Sequence, residues 1–196
     1  MLKGSKTAEN LMKSFAGECQ ARTRYTYYSS IAKKEGYVQI ANIFMETAEQ
    51  EKEHAKRFFK FLKDELNGEA IEITAGYPVA LYNETLKNLE AAAAGEHEEW
   101  STDYPEFARI AREEGFLDIA VAFERIAEVE KRHEMRYRKL LENIKNDTVF
   151  KKEQTVLWKC NNCGYIYEGE EAPEVCPTCL HPQGYFEVFI ENYYNI

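Results

Sequence analysis

With 196 residues the chain can bury one sizeable core and carry a small additional unit, and its 44% hydrophobic content is ordinary for a folded globular protein. A formal net charge of -9 argues against a nucleic-acid partner, which would call for a basic face. No apolar run approaches membrane-spanning length, and the start MLKGSKTAENL lacks the apolar core of a signal peptide. We therefore expect a cytoplasmic protein that binds neither nucleic acid nor membrane.

The first two predicted helices form a hairpin. The first runs from about Thr7 to Lys34, and the second runs from about Val38 to Leu66 and carries Glu51 and His54 at the end of an apolar stripe. Residues three apart on a helix share a face, so this carboxylate and this imidazole point in one direction. Such a pair suits iron or manganese. The inward face of the first helix is predicted to pass through Leu11, Phe15, Glu18, Ala21 or Arg22, and Tyr25.

A glycine- and proline-containing segment, residues 67 to 79, is predicted to connect this hairpin to a second one. A third helix should start after Pro78 and carry Glu96, with Glu99 one turn later. Pro105 falls inside the helical pattern and should force a kink or break just past Tyr104.

The second hairpin repeats the first. A shift of 79 positions lays Ile31 to His54 over Ile110 to His133 with about half the positions identical. Upstream, Ala16-Gly17-Glu18 matches Ala94-Gly95-Glu96 with one residue of slippage. A fourth helix, from about Leu117 to Lys145, carries Glu130 and His133 in the place of the earlier Glu-x-x-His pair.

Two such hairpins packed together predict a four-helix bundle that presents one glutamate from each of two helices and Glu-x-x-His from each of the other two. This set is typical of ferritin-like, carboxylate-bridged two-metal proteins. Solvated surface residues are the alternative, but the set occurs twice in register within apolar surroundings. Tyr25 and its repeat partner Tyr104 either orient a ligand carboxylate or are ordinary core tyrosines.

After Asn146-Asp147 the composition becomes that of a strand-and-turn unit. Its two Cys-x-x-Cys knuckles supply four thiolates for a tetrahedral metal, which on spacing alone is more often structural zinc. So small a unit should need the metal to fold. Cys19, alone on the first helix, is predicted to be a small buried thiol. The predicted core of the terminal unit comprises Trp158, Tyr165, Tyr167, Phe186 and Phe189.

The pattern Cys163-Gly164-Tyr165-x-Tyr167 followed by Cys176-Pro177-x-Cys179 resembles rubredoxin, and the whole chain resembles the rubrerythrin family. The resemblance implies a mainly α ferritin-like di-iron bundle in residues 1–147 and a rubredoxin-like domain in residues 148–196. It implies that Glu51 and Glu130 bridge two non-haem irons, and that one iron is held by Glu99 when oxidised and shifts to His54 when reduced. The implied ligands of the iron pair are Glu18, Glu51, His54, Glu96, Glu99, Glu130 and His133, with Tyr25 and Tyr104 beside them, and those of a third iron are Cys160, Cys163, Cys176 and Cys179.

The family's activity is the reduction of hydrogen peroxide to water, with electrons from NADH that arrive through a separate reductase or a rubredoxin. The resemblance therefore implies a non-haem di-iron peroxidase in oxidative-stress defence, acting as a homodimer that passes electrons between subunits. The alternatives are a ferroxidase or iron-storage protein with a structural zinc domain, and an electron carrier without catalysis. Zinc can replace iron at either site.

Overall fold

The computed structural model describes residues 1–193 as a helical bundle followed by a small antiparallel sheet. The helices are α1 (Lys6–Lys34), α2 (Val38–Leu66), α3 (Thr85–Glu98), α4 (Tyr104–Glu113) and α5 (Leu117–Lys145). A π-helical turn, Glu99–Asp103, joins α3 to α4, so these two helices form the third rod of a four-helix bundle. The predicted bounds of α2 and α5 are confirmed. Among residues 1–193, no helix combines the length and apolar composition needed to cross a bilayer.

The two hairpins turn in the same way. Gly36 follows α1 and Gly115 follows α4, and both have φ of 85°, a left-handed conformation that a side chain would disfavour. The glutamate before each glycine caps the first helix of the other hairpin. Glu35 accepts the backbone N–H of Thr85 at 2.6 Å, and Glu114 accepts that of Thr7 at 2.8 Å. Each hairpin therefore supplies an acceptor for the first helix of the other, in addition to the Ser5 side chain that caps α1 by accepting the N–H of Ala8.

The connection between the hairpins is longer than predicted. Neither helix nor strand occurs between Leu66 and Thr85, and α3 starts at Thr85 instead of directly after Pro78. The Asn88 side chain accepts the N–H of Tyr82 at 2.9 Å and donates to the Tyr82 carbonyl at 2.8 Å. These bonds replace helical ones and hold the chain extended up to α3.

The π-helical turn explains the one-residue slippage in the repeat. Seven positions separate Glu18 from Tyr25, but eight separate Glu96 from Tyr104. The wider turn absorbs the extra residue, and the Tyr104 N–H bonds to the carbonyl of residue 99, five positions back. Tyr104 therefore points into the bundle from its helix, as Tyr25 does from α1.

Our prediction of an irregularity just past Tyr104 was wrong in position, because the irregular turn precedes this residue. Pro105 lies in the first turn of α4, where a missing N–H costs little. The proline ring crowds the carbonyl four residues earlier, at Ser101, so the distortion falls inside the preceding turn.

The bundle core consists of two apolar clusters along the helix axes. One includes Leu11, Phe58 and Phe123, and the other includes Phe44 and Tyr137. The stretches of α1, α2 and α5 that lie between the two clusters carry three glutamates with at most 1% exposure, namely Glu18, Glu51 and Glu130. Three charged side chains at the centre of a bundle require compensation by an opposite charge or by protons.

The C-terminal unit is a three-stranded sheet with β1 (Lys151–Cys160) between β2 (Ile166–Glu171) and β3 (Phe186–Val188). Trp158 and Phe186 are buried in its core, as predicted, and Trp158 donates its indole N–H to the Gly169 carbonyl at 3.0 Å. Two predicted core members were wrong. Tyr167 is 38% exposed because it lies on the edge strand β2, although it pairs with Trp158 and shares its face of the sheet. Phe189 lies beyond β3, under the Lys159 amine.

This sheet unit contacts the bundle at the turn between α1 and α2. The rings of Tyr37 and Phe150 stack at 6.1 Å between centroids and 5° between planes. Gly184 packs so closely on Gly36 that a Cβ atom at position 184 would collide with the Gly36 backbone. The contact therefore requires glycine at position 184.

Candidate metal centre

The interior between the two apolar clusters holds two overlapping groups of ligand atoms. One group is Glu18, Glu51, His54 and Glu130, and the other is Glu51, Glu96, Glu130 and His133. Within each group all the ligand atoms lie within 4.8 Å of one another. Glu51 and Glu130 belong to both groups. This is the arrangement that two neighbouring metal ions with two shared carboxylates require.

Glu99 belongs to neither group but faces the same interior. Its pKa is raised well above the ordinary value by burial and by the nearby charges of Glu96, Glu130 and Glu51. Glu99 lies on the π-helical turn and also lines a cleft of about 380 Å³ that separates the turn from the connection at Tyr77. It is the member of the proposed ligand set that this cleft reaches.

The two predicted tyrosines donate hydrogen bonds across the hairpins. The Tyr25 hydroxyl donates to Glu96 at 2.5 Å, and the Tyr104 hydroxyl donates to Glu18 at 2.5 Å. Burial, followed by the charge of the neighbouring glutamate, raises the pKa of both phenols well above their ordinary value, so both remain donors. Each tyrosine fixes one carboxylate oxygen and leaves the other free to face the interior.

The ionisation of the site favours a bound cation. Burial first, and then neighbouring carboxylates, raise the pKa of Glu18 and Glu96. Burial alone would lower the pKa of the histidines, but their bonds to Glu130 and Glu51 outweigh it and raise the pKa to about 10 for His54 and about 12 for His133. In the absence of metal the centre therefore retains protons, which a metal ion would displace.

Unsatisfied acceptors provide a direct test of whether the residues fit a metal pair. Buried oxygens of Glu18, Glu51, Glu96 and Glu130 face one another, and in the part of the chain that the structure describes they have only Nδ1 of the two histidines near them. So many converging carboxylate oxygens beside two imidazoles indicate cations. Carboxylate and imidazole ligands match iron or manganese, so the residues fit a carboxylate-bridged pair of such ions.

Gln50 is a residue that the sequence analysis missed. Its side-chain oxygen lies 2.9 Å from Nε2 of His133, which leaves Nδ1 facing Glu130 at 2.8 Å and Glu51 at 3.1 Å. Such a bond to the distal nitrogen orients a ligand histidine. A glutamine beside Glu51 carries no signal in the sequence, because the bond spans two helices.

The four C-terminal cysteines form a second candidate metal site. Their Sγ atoms lie within 4.8 Å of one another, with Cys160 and Cys179 at 3.7 Å and Cys163 and Cys176 at 3.6 Å. The backbone N–H of His181 bonds the Cys179 sulfur and thereby lowers the pKa of that thiol to about 6. Four converging thiols with no disulfide fit a tetrahedral iron or zinc ion.

Cys19 does not join either site. Our prediction of a buried thiol was wrong, because its side chain is exposed at a groove between α1 and α2 lined by Phe15, Arg22 and Phe59. Glu18 takes the inward position, and the next residue lies about 100° further round the helix.

Comparisons with known proteins agree with this architecture. The family model described as Rubrerythrin matches residues 9–141, and the one described as Rubrerythrin, rubredoxin-like domain matches residues 158–187. The chain is 68% identical over 192 residues to a rubrerythrin from Clostridium perfringens, with 98% of each chain covered. It is 53% identical over 187 residues to a rubrerythrin from Nitratidesulfovibrio vulgaris, with 95% of this chain and 96% of the relative covered.

Solved structures show the same fold. Partially reduced nigerythrin matches with a TM-score of 0.64 and 31% identity over 96% of this chain and 92% of its own. A bacterioferritin from Desulfovibrio desulfuricans, which has a diiron site, matches with a TM-score of 0.65 and 29% identity over 73% of this chain and 82% of its own. These likenesses confirm the predicted ferritin-like bundle. The chain belongs to the rubrerythrin family of iron-dependent oxidoreductases and carries a C-terminal rubredoxin-like domain.

Proposed function

We propose that the chain is a non-haem di-iron peroxidase that reduces hydrogen peroxide to two molecules of water in oxidative-stress defence. The observation that carries the proposal is the pair of overlapping ligand groups that share Glu51 and Glu130 and present converging buried carboxylate oxygens beside two imidazoles. When bound, the iron pair would supply the two electrons that break the O–O bond, while two protons complete the water molecules.

The protein side chains have separate roles in this proposal. Glu51 and Glu130, which belong to both ligand groups, would hold both ions. Glu18, Glu96 and Glu99 would be further carboxylate ligands, and His54 and His133 would be the nitrogen ligands. Tyr25 and Tyr104 hold Glu96 and Glu18 in one orientation through their hydroxyls. The cleft at Glu99 gives a small substrate such as peroxide a path to the centre.

Reducing equivalents would come from the centre at Cys160, Cys163, Cys176 and Cys179, supplied in turn by an NADH-dependent reductase or a rubredoxin. The sheet unit that holds these cysteines contacts the turn at Gly36 and Tyr37, and α2 extends from there to Glu51, a rise of about 20 Å at 1.5 Å per residue. Electron transfer slows steeply with distance. This separation supports a homodimer in which the cysteine centre of one subunit serves the iron pair of its partner.

Two further assignments accompany the proposal. We assign residues 1–147 to the di-iron domain and residues 148–196 to the rubredoxin-like domain. We assign the protein to the cytoplasm, because five cysteines without a disulfide suit a reducing compartment.

Rapid mixing of the fully reduced, iron-loaded protein with peroxide and with oxygen tests the function. Oxidation by peroxide should be much faster, and Glu51→Ala should abolish it. Unchanged peroxide consumption in Glu51→Ala would instead indicate an electron carrier. Zinc in place of iron at the cysteine site would leave the protein without the visible absorption of an iron–thiolate centre.

The similarity of the bundle to a bacterioferritin with a diiron site favours ferroxidase activity as the second candidate. In that case the reduced protein would react faster with oxygen than with peroxide and would accumulate iron. The same rapid-mixing experiment, followed by iron analysis, separates the two functions.

A further inference from the structure

A buried carboxylate that the proposed reaction does not use lies next to the ligand His133. Glu134 on α5 is only 6% exposed and accepts three hydrogen bonds. The donors are the Trp100 indole N–H, Nδ1 of His97 at 3.1 Å and Nε of Arg138 at 2.5 Å. A carboxylate buried to this extent is costly without such partners. We call these four residues the Glu134 cluster.

The cluster connects α5 to the π-helical turn that carries Glu99. Trp100 is the next residue after Glu99 in this turn. Its ring meets the His97 ring edge-on at 5.2 Å, and the Lys131 amine lies 4.9 Å from the ring centroid. π-helical turns are rare and occur mostly as single turns within α-helices, so we expect tertiary contacts to support this one. Trp100 provides that support by attachment to α5.

The first hairpin has neither the cluster nor the turn. The repeat places Ala55 at the position of Glu134 and, in the slipped register, Arg22 at the position of Trp100. There α1 continues as a regular helix, and Ala21 occupies the position that corresponds to Glu99. The cluster, the wider turn and the extra carboxylate therefore occur together, in one half of the molecule.

We infer that Glu134 is a positioning residue that anchors Trp100, holds the π-helical turn in place and thereby keeps the Glu99 carboxylate at the metal centre. The inference rests on the proposed function in that Glu99 is taken as a ligand. Glu134 itself is buried where α5 meets the π-helical turn, and it belongs to neither ligand group.

The test uses the full-length, iron-loaded protein and two measurements, amide hydrogen exchange in residues 99–104 and the reduction potential of the iron pair. Trp100→Phe keeps an aromatic ring at this position but removes the N–H donor. Exchange in the turn should become about tenfold faster, as expected for loss of a hydrogen bond to a charged group. The potential should rise, because a loosely held Glu99 stabilises ferric iron less. Glu134→Gln should change both quantities in the same direction.

Arg125→Gln is the matched control. It removes an exposed ion pair with Glu128 on α5, outside the Glu134 cluster, and leaves the Trp100 bond intact, so both measurements should match those of the unaltered protein. Unchanged exchange in Trp100→Phe would overturn the anchoring role. Faster exchange with an unchanged potential would overturn the link to Glu99. Failure of the unaltered protein to consume peroxide would count against the proposed function alone, because neither measurement depends on turnover.

Discussion

The Tyr25 hydroxyl on α1 donates to the Glu96 carboxylate on α3 at 2.5 Å, and the repeat produces the reciprocal bond from Tyr104 to Glu18. Each hairpin therefore orients a glutamate of the other. The metal centre is assembled only when both hairpins are in place, since neither half contains both a glutamate and the tyrosine that holds it.

Tyr25→Phe should weaken metal binding at the centre. The variant removes the donor to Glu96 but keeps the ring, which packs 5.6 Å from that of Tyr137. Loss of a bond that orients a ligand typically lowers metal affinity about 10- to 100-fold, which competition with a chelator can measure. Tyr28→Phe is the control, because the Tyr28 hydroxyl donates to the Ala80 carbonyl, away from the site. Equal affinity in the two variants would contradict the role of Tyr25.

The stability of the metal-free protein should fall as pH rises. The pKa values of Glu18, Glu96 and Glu99 are raised from 4.5 in the folded chain, and those of His54 and His133 are raised from 6.5 to about 10 and about 12. Both kinds of group therefore bind protons more tightly when folded. Their contribution to stability is complete below the unfolded pKa and is lost as pH rises through the folded pKa.

Thermal unfolding of chelator-treated protein should accordingly give a lower midpoint at about pH 9 than at about pH 5. Iron loading should raise the midpoint most at the higher pH, because metal binding displaces the retained protons. A midpoint of the metal-free protein that increases steadily over this range would show that the centre does not retain protons.

Cys160→Ser should unfold the C-terminal sheet without unfolding the bundle. The small core around Trp158 and Phe186 is continuous with the cysteine site, so the unit depends on the metal. Metal analysis should show loss of one ion per chain, and the Trp158 fluorescence should shift to that of an exposed indole. Cys19→Ser should leave both measurements unchanged, because its exposed thiol lies outside the site. Retention of the full metal content in Cys160→Ser would refute the assignment.

Gly184→Ala should detach the sheet unit from the bundle. The added methyl group would meet the backbone of Gly36, which cannot move aside as a flexible side chain can. Limited proteolysis should then cut the connection between Lys145 and Lys151 faster. Gly76→Ala is a suitable control, because a Cβ atom at that position meets no other atom within 4 Å. Equal cleavage of both variants would show that the contact does not fix the unit.

Much of the fold could be predicted from sequence because the chain contains the same hairpin pattern twice, and each copy supports the interpretation of the other. The apolar stripes of α2 and α5 fixed their bounds, and the buried face of α1 excludes Arg22 in favour of Ala21. In the sequence, the π-helical turn is visible only as a one-residue shift in register between the two repeats. A slip indicates an insertion somewhere between Glu96 and Tyr104 but does not show which turn widens.

The other features that the sequence analysis did not predict depend on hydrogen bonds between residues far apart in the chain or on different helices. Asn88 determines where α3 begins by bonding the Tyr82 backbone, and Gln50 and Glu134 act across helix interfaces. Helical phase predicts which side of a helix a residue takes, but it does not identify the partner on the next helix. Local patterns therefore located the candidate ligands and the two tyrosines beside them, but missed Gln50 and Glu134.

The reciprocal bonds of Glu35 and Glu114 tie each half of the repeat to the other. A half-length chain could make this bond only with an identical copy of itself, whereas the repeat lets one chain make it twice. The two halves keep this mutual dependence although the second carries one residue more than the first between its glutamate and its tyrosine.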